Sequence, residues 1–218
     1  MKYLGVPSSG SQAGTTASHN RFGQYFRTRA IPVNPASTQQ GLARARLGVA
    51  AAAWRALTDG QRAGWRDLGL SMTRTDSLGS SYTLTGVQAF VSVNSSNAAA
   101  GNAQVSDAPA LVTPSSLLTA TITLTAAAFS IAYTATPLGA GARLFTFVSP
   151  QRSAGRSFES DYRLLAVSAA AAASPADVFA AYSAKFGIPV VTNRIFLTLQ
   201  VYTAGFMSAP LYTSKIVA

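Results

Sequence analysis

In the second half of the chain, apolar and polar residues alternate along several short segments. From Leu118 to Thr125, leucine, alanine and isoleucine alternate with threonine, which is typical of a strand that buries one face. Further strand-like segments follow between turns rich in glycine and proline: 129–133, 143–148, 162–167, 194–202 and 210–217. A short helix is predicted from Ser174-Pro175-Ala176-Asp177 to about Lys185. Strands at this spacing predict an antiparallel, Ig-like β-sandwich.

Between residues 34 and 100 the apolar residues instead recur every three or four positions, as on one face of a helix. A first helix is predicted to begin at Asn34-Pro35, with Asn34 or Ser37 as its cap. Its apolar stripe comprises Ala43, Leu47, Ala50, Trp54 and Leu57. Thr58 with Gln61 and Thr85 with Gln88 have the spacing of capping boxes, which predicts two more helices. The residues expected to form the helical core are Trp54, Leu57, Trp65, Leu68 and Phe90.

Two smaller features complete the helical region. A polar hairpin is predicted over residues 73–84, with its turn at Asp76-Ser77-Leu78-Gly79. Gly69 is predicted to end the second helix, because glycine is the usual residue just past a helix.

Ahead of the helices, residues 15–33 predict a β-hairpin. Thr15 to His19 and Gln24 to Arg29 form its strands, joined by a turn through Asn20 to Gly23. Alternation places Tyr25, Arg27 and Arg29 on one face and Phe26, Thr28 and Ala30 on the other. A two-stranded ribbon is marginal in water, so this one is expected to pack on another surface. The predicted docking residues are Arg21, Tyr25, Phe26, Arg27 and Arg29.

Together these patterns predict an α+β protein of two domains. Residues 1–14, rich in glycine and serine, are expected to form a flexible arm. A hairpin and helical docking domain (15–100), a linker (101–109) and the Ig-like β-sandwich (110–218) follow. At 218 residues, the chain is long enough for each domain to bury a core.

The net positive charge of the chain indicates which kinds of molecule it could bind. The net charge is +10, and 14 of the 17 basic residues are arginine. Arginine pairs with carboxylates and phosphates and stacks on rings, so the expected partner is an acidic protein surface or nucleic acid. Residues 21–74 contain nine arginines, and the only acidic residues in the same span are Asp59 and Asp67. The helices do not carry asparagines and glutamines spaced as on a base-reading recognition helix, so contact with packaged DNA would be non-specific.

The sequence offers little catalytic chemistry. It has no cysteine, and its one histidine, His19, is expected to be a turn residue. Glu159 and Asp161 are the only close acidic pair, and they lie among arginines, so we expect a loop salt bridge. No nucleophile elbow or phosphate-binding loop is present. We therefore expect no enzyme, no cofactor and no metal site, and no run of residues is apolar and long enough for a membrane span.

Several motifs of the first hundred residues carry a family resemblance. They are Asn20–Tyr25, Arg27–Arg29, Pro32–Pro35, Gln39-Gln40, Trp54–Thr58, Gln61–Trp65 and Leu84–Phe90. This set resembles a family of small structural proteins of tailed bacteriophages and prophages, which implies a virion component. The second half resembles the fibronectin type III and immunoglobulin-like modules of phage surfaces, although it lacks the cysteines and the core tryptophan of antibody domains.

The leading hypothesis is a non-enzymatic structural protein of a phage particle: capsid decoration, minor head or head–tail connector. It would be made in the host cytoplasm and would bind other virion proteins and copies of itself through its N-terminal domain. Two alternatives stay open. The arginine-rich half could bind nucleic acid, or the β-domain could bind the host surface.

Overall fold

The computed structural model describes residues 9–20, 23–31, 33–34, 36–75, 79–134 and 136–218, with only the backbone of Gln39. The protein is α+β: helices combine with several antiparallel sheets. The chain divides into two compact units, residues 1–43 and 44–218. The linker predicted at 101–109 lies inside the second unit.

The first unit contains a three-stranded antiparallel sheet. Its strands are β1 (Gly10–Gln12), β2 (Thr15–Asn20) and β3 (Gly23–Thr28), in that order. The predicted hairpin strands are confirmed, with Thr15 opposite Thr28 and Asn20 opposite Gly23. Strand β1 lies in the segment predicted to be a flexible arm, where it pairs with β2. Arg21 and Phe22 of the predicted turn lie outside the described residues.

Helix α1 (Thr38–Ala56) begins later than predicted. Ala36 has a left-handed backbone (φ 47°), which a helix does not tolerate, and its N–H donates to Asn34 Oδ1 at 3.2 Å. The cap is Ser37, whose Oγ accepts the N–H of Gln40 at 3.4 Å. Pro35 lies outside the described residues.

Two capping boxes begin the next helices, as predicted. In α2 (Asp59–Ser71), Thr58 Oγ1 accepts the N–H of Gln61 at 3.3 Å and Gln61 Oε1 accepts the N–H of Thr58 at 3.0 Å. Thr85 and Gln88 repeat the pattern in α3 (Gly86–Ala99). The predicted polar hairpin between them is confirmed as β4 (Thr73–Thr75) and β5 (Ser81–Thr83); residues 76–78 of its turn lie outside the described residues.

Gly69 does not end α2, which continues to Ser71. A Cβ on Gly69 would lie 2.5 Å from the carbonyl oxygen of Leu84, so glycine is needed because another segment of backbone passes close to the helix. The Gly69 carbonyl also accepts the N–H groups of Met72 and Leu84. The helical core that results buries Leu57, Trp65, Leu68 and Phe90, while Trp54 is half-buried against it.

The second half forms two antiparallel sheets around one core. One sheet has the order β10 (Ala176–Asp177), β7 (Phe129–Thr134), β6 (Thr119–Leu124). In the other, β11 (Arg194–Thr203) lies between β8 (Arg143–Val148) and β13 (Leu211–Ile216). Strand β9 (Arg163–Val167) pairs with β8, and β12 (Phe206–Met207) pairs with the end of β11. Side chains such as Ile131, Leu144 and Leu197 are fully buried between the sheets.

Helix α4 (Phe179–Phe186) also begins later than predicted. Ala176 and Asp177 are taken up by pairing with Ile131 and Ser130 of β7, so they are extended. The carboxylate of Asp177 accepts the N–H of Phe179 at 2.9 Å, and the helix starts from there. The strands predicted in this half are all present, with boundaries that differ by one or two residues.

The helical and β regions of the second unit share buried contacts. Phe206 of β12 packs into the core of Trp65 and Phe90. Tyr202 donates its hydroxyl to Asn97 Oδ1 of α3 at 2.6 Å, and a Cβ on Gly205 would lie 2.4 Å from Val93 Cγ1. These contacts join α3 to the turn between β11 and β12.

This contact predicts a strong effect of Gly205→Ala. Gly205 has φ +93° and no room for a methyl group, so we expect a loss of roughly 1–3 kcal/mol in the free energy of unfolding from overpacking, with backbone strain in addition. Urea unfolding followed by circular dichroism measures it, and the transition should remain single. Gly155→Ala, at a glycine with open space around it, is the matched control. Two separate transitions, of which Gly205→Ala shifts only one, would contradict a shared core.

Candidate docking surface

The sheet of the first unit carries the predicted docking residues on exposed positions. Tyr25 lies opposite Ser18 and is 40% exposed, while Phe26 lies opposite Ala17 and is 46% exposed. Arg27 is exposed as well, opposite Thr16. Arg21 lies outside the described residues.

Arg29 follows the end of β3 and is also exposed. Its N–H donates to the carbonyl of Gly14 at 2.8 Å, which extends the ladder by one bond. A hydroxyl contact of 2.8 Å between Ser11 and Thr16 joins β1 to β2. The sheet is thus held by hydrogen bonds along its backbone and by small polar side chains.

None of the described residues from 9 to 43 is buried. A sheet normally gains its stability from an apolar face packed against something else, and three strands without such a face are marginal in water. The described part of this unit therefore has strand pairing without a core of its own.

The charge of this region is entirely basic. The first acidic residue of the chain is Asp59, so residues 1–58 hold no carboxylate side chain. Arg27, Arg29 and Arg46 are exposed. A guanidinium in such a region can pair with a carboxylate or a phosphate only from another molecule or from a later part of the chain.

The first half of α1 is exposed as well. The predicted apolar stripe packs only from Ala50 onward, and Ala43 and Leu47 are exposed. Leu42 and Val49 add further exposed apolar surface ahead of Ala50. From Ala50 onward the stripe meets the core around Trp65, since Ala50 and Leu57 belong to that core and Trp54 packs against it.

Arg62 lies close to two other arginines, Arg55 and Arg66. Arg62 donates to the carbonyl of Arg55 at 2.9 Å and to Asp59 at 3.1 Å. Arg62 and Arg66 line a cleft beside Trp54 and the start of α3. Arg62 has its own acidic partner in Asp59, so its charge is already partly balanced.

His19 lies in β2 opposite Gln24, next to the hairpin turn, and is exposed. Among the described residues no group of three or more histidines, cysteines, aspartates or glutamates could hold a metal ion. Within the same residues, no helix is long and apolar enough to cross a membrane.

The predicted salt bridge at Glu159 and Asp161 is confirmed. Arg156 approaches Glu159 at 3.4 Å, and Arg163 binds both carboxylate oxygens of Asp161 at 3.0 and 3.2 Å. Sequence reasoning missed the main side-chain partner, Arg152, which donates to Glu159 from seven residues earlier. Only the folded loop brings Arg152 to the carboxylate, and no local pattern indicates the pair.

Glu159 is a buried carboxylate with every neighbour arranged for its charged form. Its side chain has no exposed surface, and Oε1 accepts the N–H groups of Ser160 at 2.9 Å and Asp161 at 3.0 Å. The N–H of Asp161, followed by the Arg152 guanidinium, lowers the pKa of Glu159 from 4.5 to about 2, against the opposing effect of burial. The carboxylate therefore stabilises the shape of its loop and is not poised to exchange protons near neutral pH.

Comparisons with known proteins do not extend this description: no family model, no curated protein and no solved structure matched the chain.

The low pKa of Glu159 predicts a defined acid sensitivity. The folded protein keeps the carboxylate charged down to about pH 2, whereas the unfolded chain protonates it near 4.5. Stability is thus fully present above about pH 4.5 and is lost as the pH falls towards about 2. We expect Glu159→Gln to lower the melting temperature at pH 7, and to flatten its decline between those two values.

Thermal melts followed by circular dichroism across this pH range would measure the effect. Asp67→Asn changes an exposed acidic residue and is the matched control, expected to follow the wild-type curve. Parallel curves for wild type and Glu159→Gln would show that the hydrogen bonds to the Glu159 carboxylate do not contribute to stability as described.

Proposed function

We propose that this chain is a non-enzymatic structural component of a tailed bacteriophage particle, as capsid decoration, minor head or head–tail connector protein. It docks through its basic N-terminal region. The single observation that carries the proposal is the lack of any buried residue among those described from 9 to 43, despite their three paired strands. Such a sheet gains a packed face only when another surface covers it.

The chemistry of the exposed side chains indicates what that surface offers. Tyr25 and Phe26 supply ring area that is worth burying, and rings are enriched among residues that anchor interfaces. Arg27 and Arg29, in a segment without carboxylates, favour an acidic partner. Repeated copies on a particle would add many such contacts, each held beside the next.

The second half fits the display role of such a protein. Two antiparallel sheets around one core are compatible with the Ig-like β-sandwich proposed from the sequence. The extra helix α4 and the two-residue strand β10 depart from the simplest form of that fold. We propose that this part stands as the rigid body of the particle component, and that the N-terminal region is its attachment.

Hydrogen exchange tests the missing core directly. In the isolated chain, we expect the amides of β1–β3 to exchange with little protection, because local stability without buried contacts is close to zero. In assembled particles the same amides should become protected. The amides of β11, which is buried along most of its length, serve as the internal control and should be protected in both samples. Strong protection of β1–β3 in the free chain would contradict the proposal.

Charge reversal tests the docking residues. We expect Arg27→Glu with Arg29→Glu to reduce incorporation into particles at least about tenfold, since like charges would then face an acidic partner. Immunoblots of particles purified from cells that make each variant measure the incorporation. Arg74→Glu with Lys215→Glu makes the same change in net charge on exposed residues of the second unit and should be incorporated normally.

Unchanged incorporation of the Arg27 and Arg29 variant would remove the docking role. A gel-shift series against salt separates the nucleic-acid alternative, because phosphate binding weakens steeply as salt rises. A salt-sensitive DNA shift that the variant abolishes, with incorporation unchanged, would favour that alternative.

A further inference from the structure

A cleft of about 650 Å³ lies on the outer face of the sheet formed by β9, β8, β11 and β13. Leu197 and Leu199 of β11 point into the core between the sheets, so Thr198 between them points outward. The register places Phe147 of β8 and Tyr212 of β13 directly opposite Thr198. A hydroxyl thus lies between two aromatic rings in one row across three strands.

The loop before β9 forms the other wall. It contributes Phe158, which is 73% exposed, and Tyr162, whose ring centroid lies 6.2 Å from that of Tyr212. Tyr212 itself is 64% exposed. Two large rings are therefore presented to solvent at the mouth of the cleft, where a ligand could cover them.

The shape of this wall is fixed in advance. Glu159 is clamped by Arg152, Arg156 and two backbone N–H groups. The start of the loop is also paired to β11, since Arg152 and Arg194 exchange backbone hydrogen bonds at 2.7 and 2.9 Å. A ligand entering the cleft would not have to order the loop, which favours binding.

One polar group in the cleft lacks a partner. Thr198 is only 7% exposed, and its Oγ1 makes no hydrogen bond to any residue that the structure describes. A buried hydroxyl without a partner costs free energy, so a native protein rarely retains one without a reason. The oxygen is covered in this rotamer, so a ligand hydroxyl seated between the rings would pair with it after the side chain rotates about χ1.

The lining selects the class of ligand. Glu159 is its only charged residue, and four donors already occupy that carboxylate. The remaining lining consists of aromatic rings such as Phe158 and Tyr212, hydroxyls such as Thr198 and Ser214, and the amide of Gln200. In a chain of net charge +10, this neutral lining does not favour an acidic partner.

We propose that this cleft binds a neutral saccharide segment of a glycan. A pyranose ring has an apolar C–H face that can lie on Phe158 or Tyr212. Its hydroxyls both donate and accept, so they can pair with Thr198 and the surrounding serines. Apolar walls with a few placed polar groups are the usual construction of a ligand site. This inference goes beyond the docking role and rests on different residues.

Saturation-transfer difference NMR on the full chain tests the proposal, with cellotetraose, mannotetraose, galactotetraose and chitotetraose as probes. We expect transfer to the ring protons of at least one of them. Tyr212→Ala should weaken that binding about tenfold, the upper range for one aromatic contact. Tyr82→Ala removes an exposed tyrosine from β5, outside the cleft, and should leave the affinity unchanged.

Thr198→Val separates binding from folding. The exchange removes the hydroxyl at nearly constant volume, and that hydroxyl has no partner to lose. We expect the free energy of unfolding to stay the same or increase while saccharide affinity falls. A loss of stability with unchanged affinity would assign the hydroxyl to the fold and overturn its role in the site.

Three other outcomes would overturn the proposal. The first is no transfer to any of the four probes from folded protein. The second is self-association in sedimentation velocity that Tyr212→Ala abolishes, which would make the cleft a contact between copies. The third is binding of decaproline, but of no saccharide, that depends on Tyr212. None of these bears on docking, since Tyr212→Ala should still be incorporated into particles.

Discussion

Val93 and Asn97 of α3 lie against Gly205 and Tyr202 at the end of β11, with no space left for a side chain on the glycine. This contact joins the helices to the β-sheets of the second half within one compact unit. The helices on their own bury a small core around Trp65 and Phe90, and Phe206 from β12 completes it. Residues 44–218 are therefore held together by a tightly packed contact between α3 and the turn that joins β11 to β12.

The N-terminal region is built on the opposite principle. Its strands pair with one another along the backbone, yet none of the described residues from 9 to 43 is buried. Hydrogen bonds alone contribute modestly to stability, because the unfolded chain makes equivalent bonds with water. One chain thus combines a unit that buries its own core with an N-terminal sheet in which no described residue is buried. The aromatic cleft is a third arrangement, since it is preformed and open.

Local chemistry decided how much of this could be predicted. The helices after Thr58 and Thr85 could be predicted because their capping bonds join residues only three apart in sequence. The strand within 118–125 could be predicted because the alternation of apolar and polar residues is visible in that segment alone. Strands β10 and β12 are two residues long and exist only because β7 and β11 are adjacent. The exposed start of α1 was not predictable either, since a periodic stripe does not show where its partner ends.

The same limit applies to the sites. The composition of residues 101–109 is typical of a linker, but Asn102 donates to the hydroxyl of Tyr202 and the carbonyl of Ser106 accepts from Trp65. The Arg152 clamp and the row through Thr198 join strands and loops that are distant in sequence. The exposure of the arginines and aromatic rings near the start was predictable. That segment has no carboxylate that could pair with the arginines and no apolar pattern that would bury the rings.

The absence of acidic residues before Asp59 bears on how the binding of a partner by the N-terminal region would depend on solution conditions. Guanidinium groups stay protonated at any pH a cell or its surroundings reach. No carboxylate side chain within residues 1–58 offsets the positive charge of these arginines. A contact made by these arginines at the protein surface would weaken as the ionic strength of the medium rises.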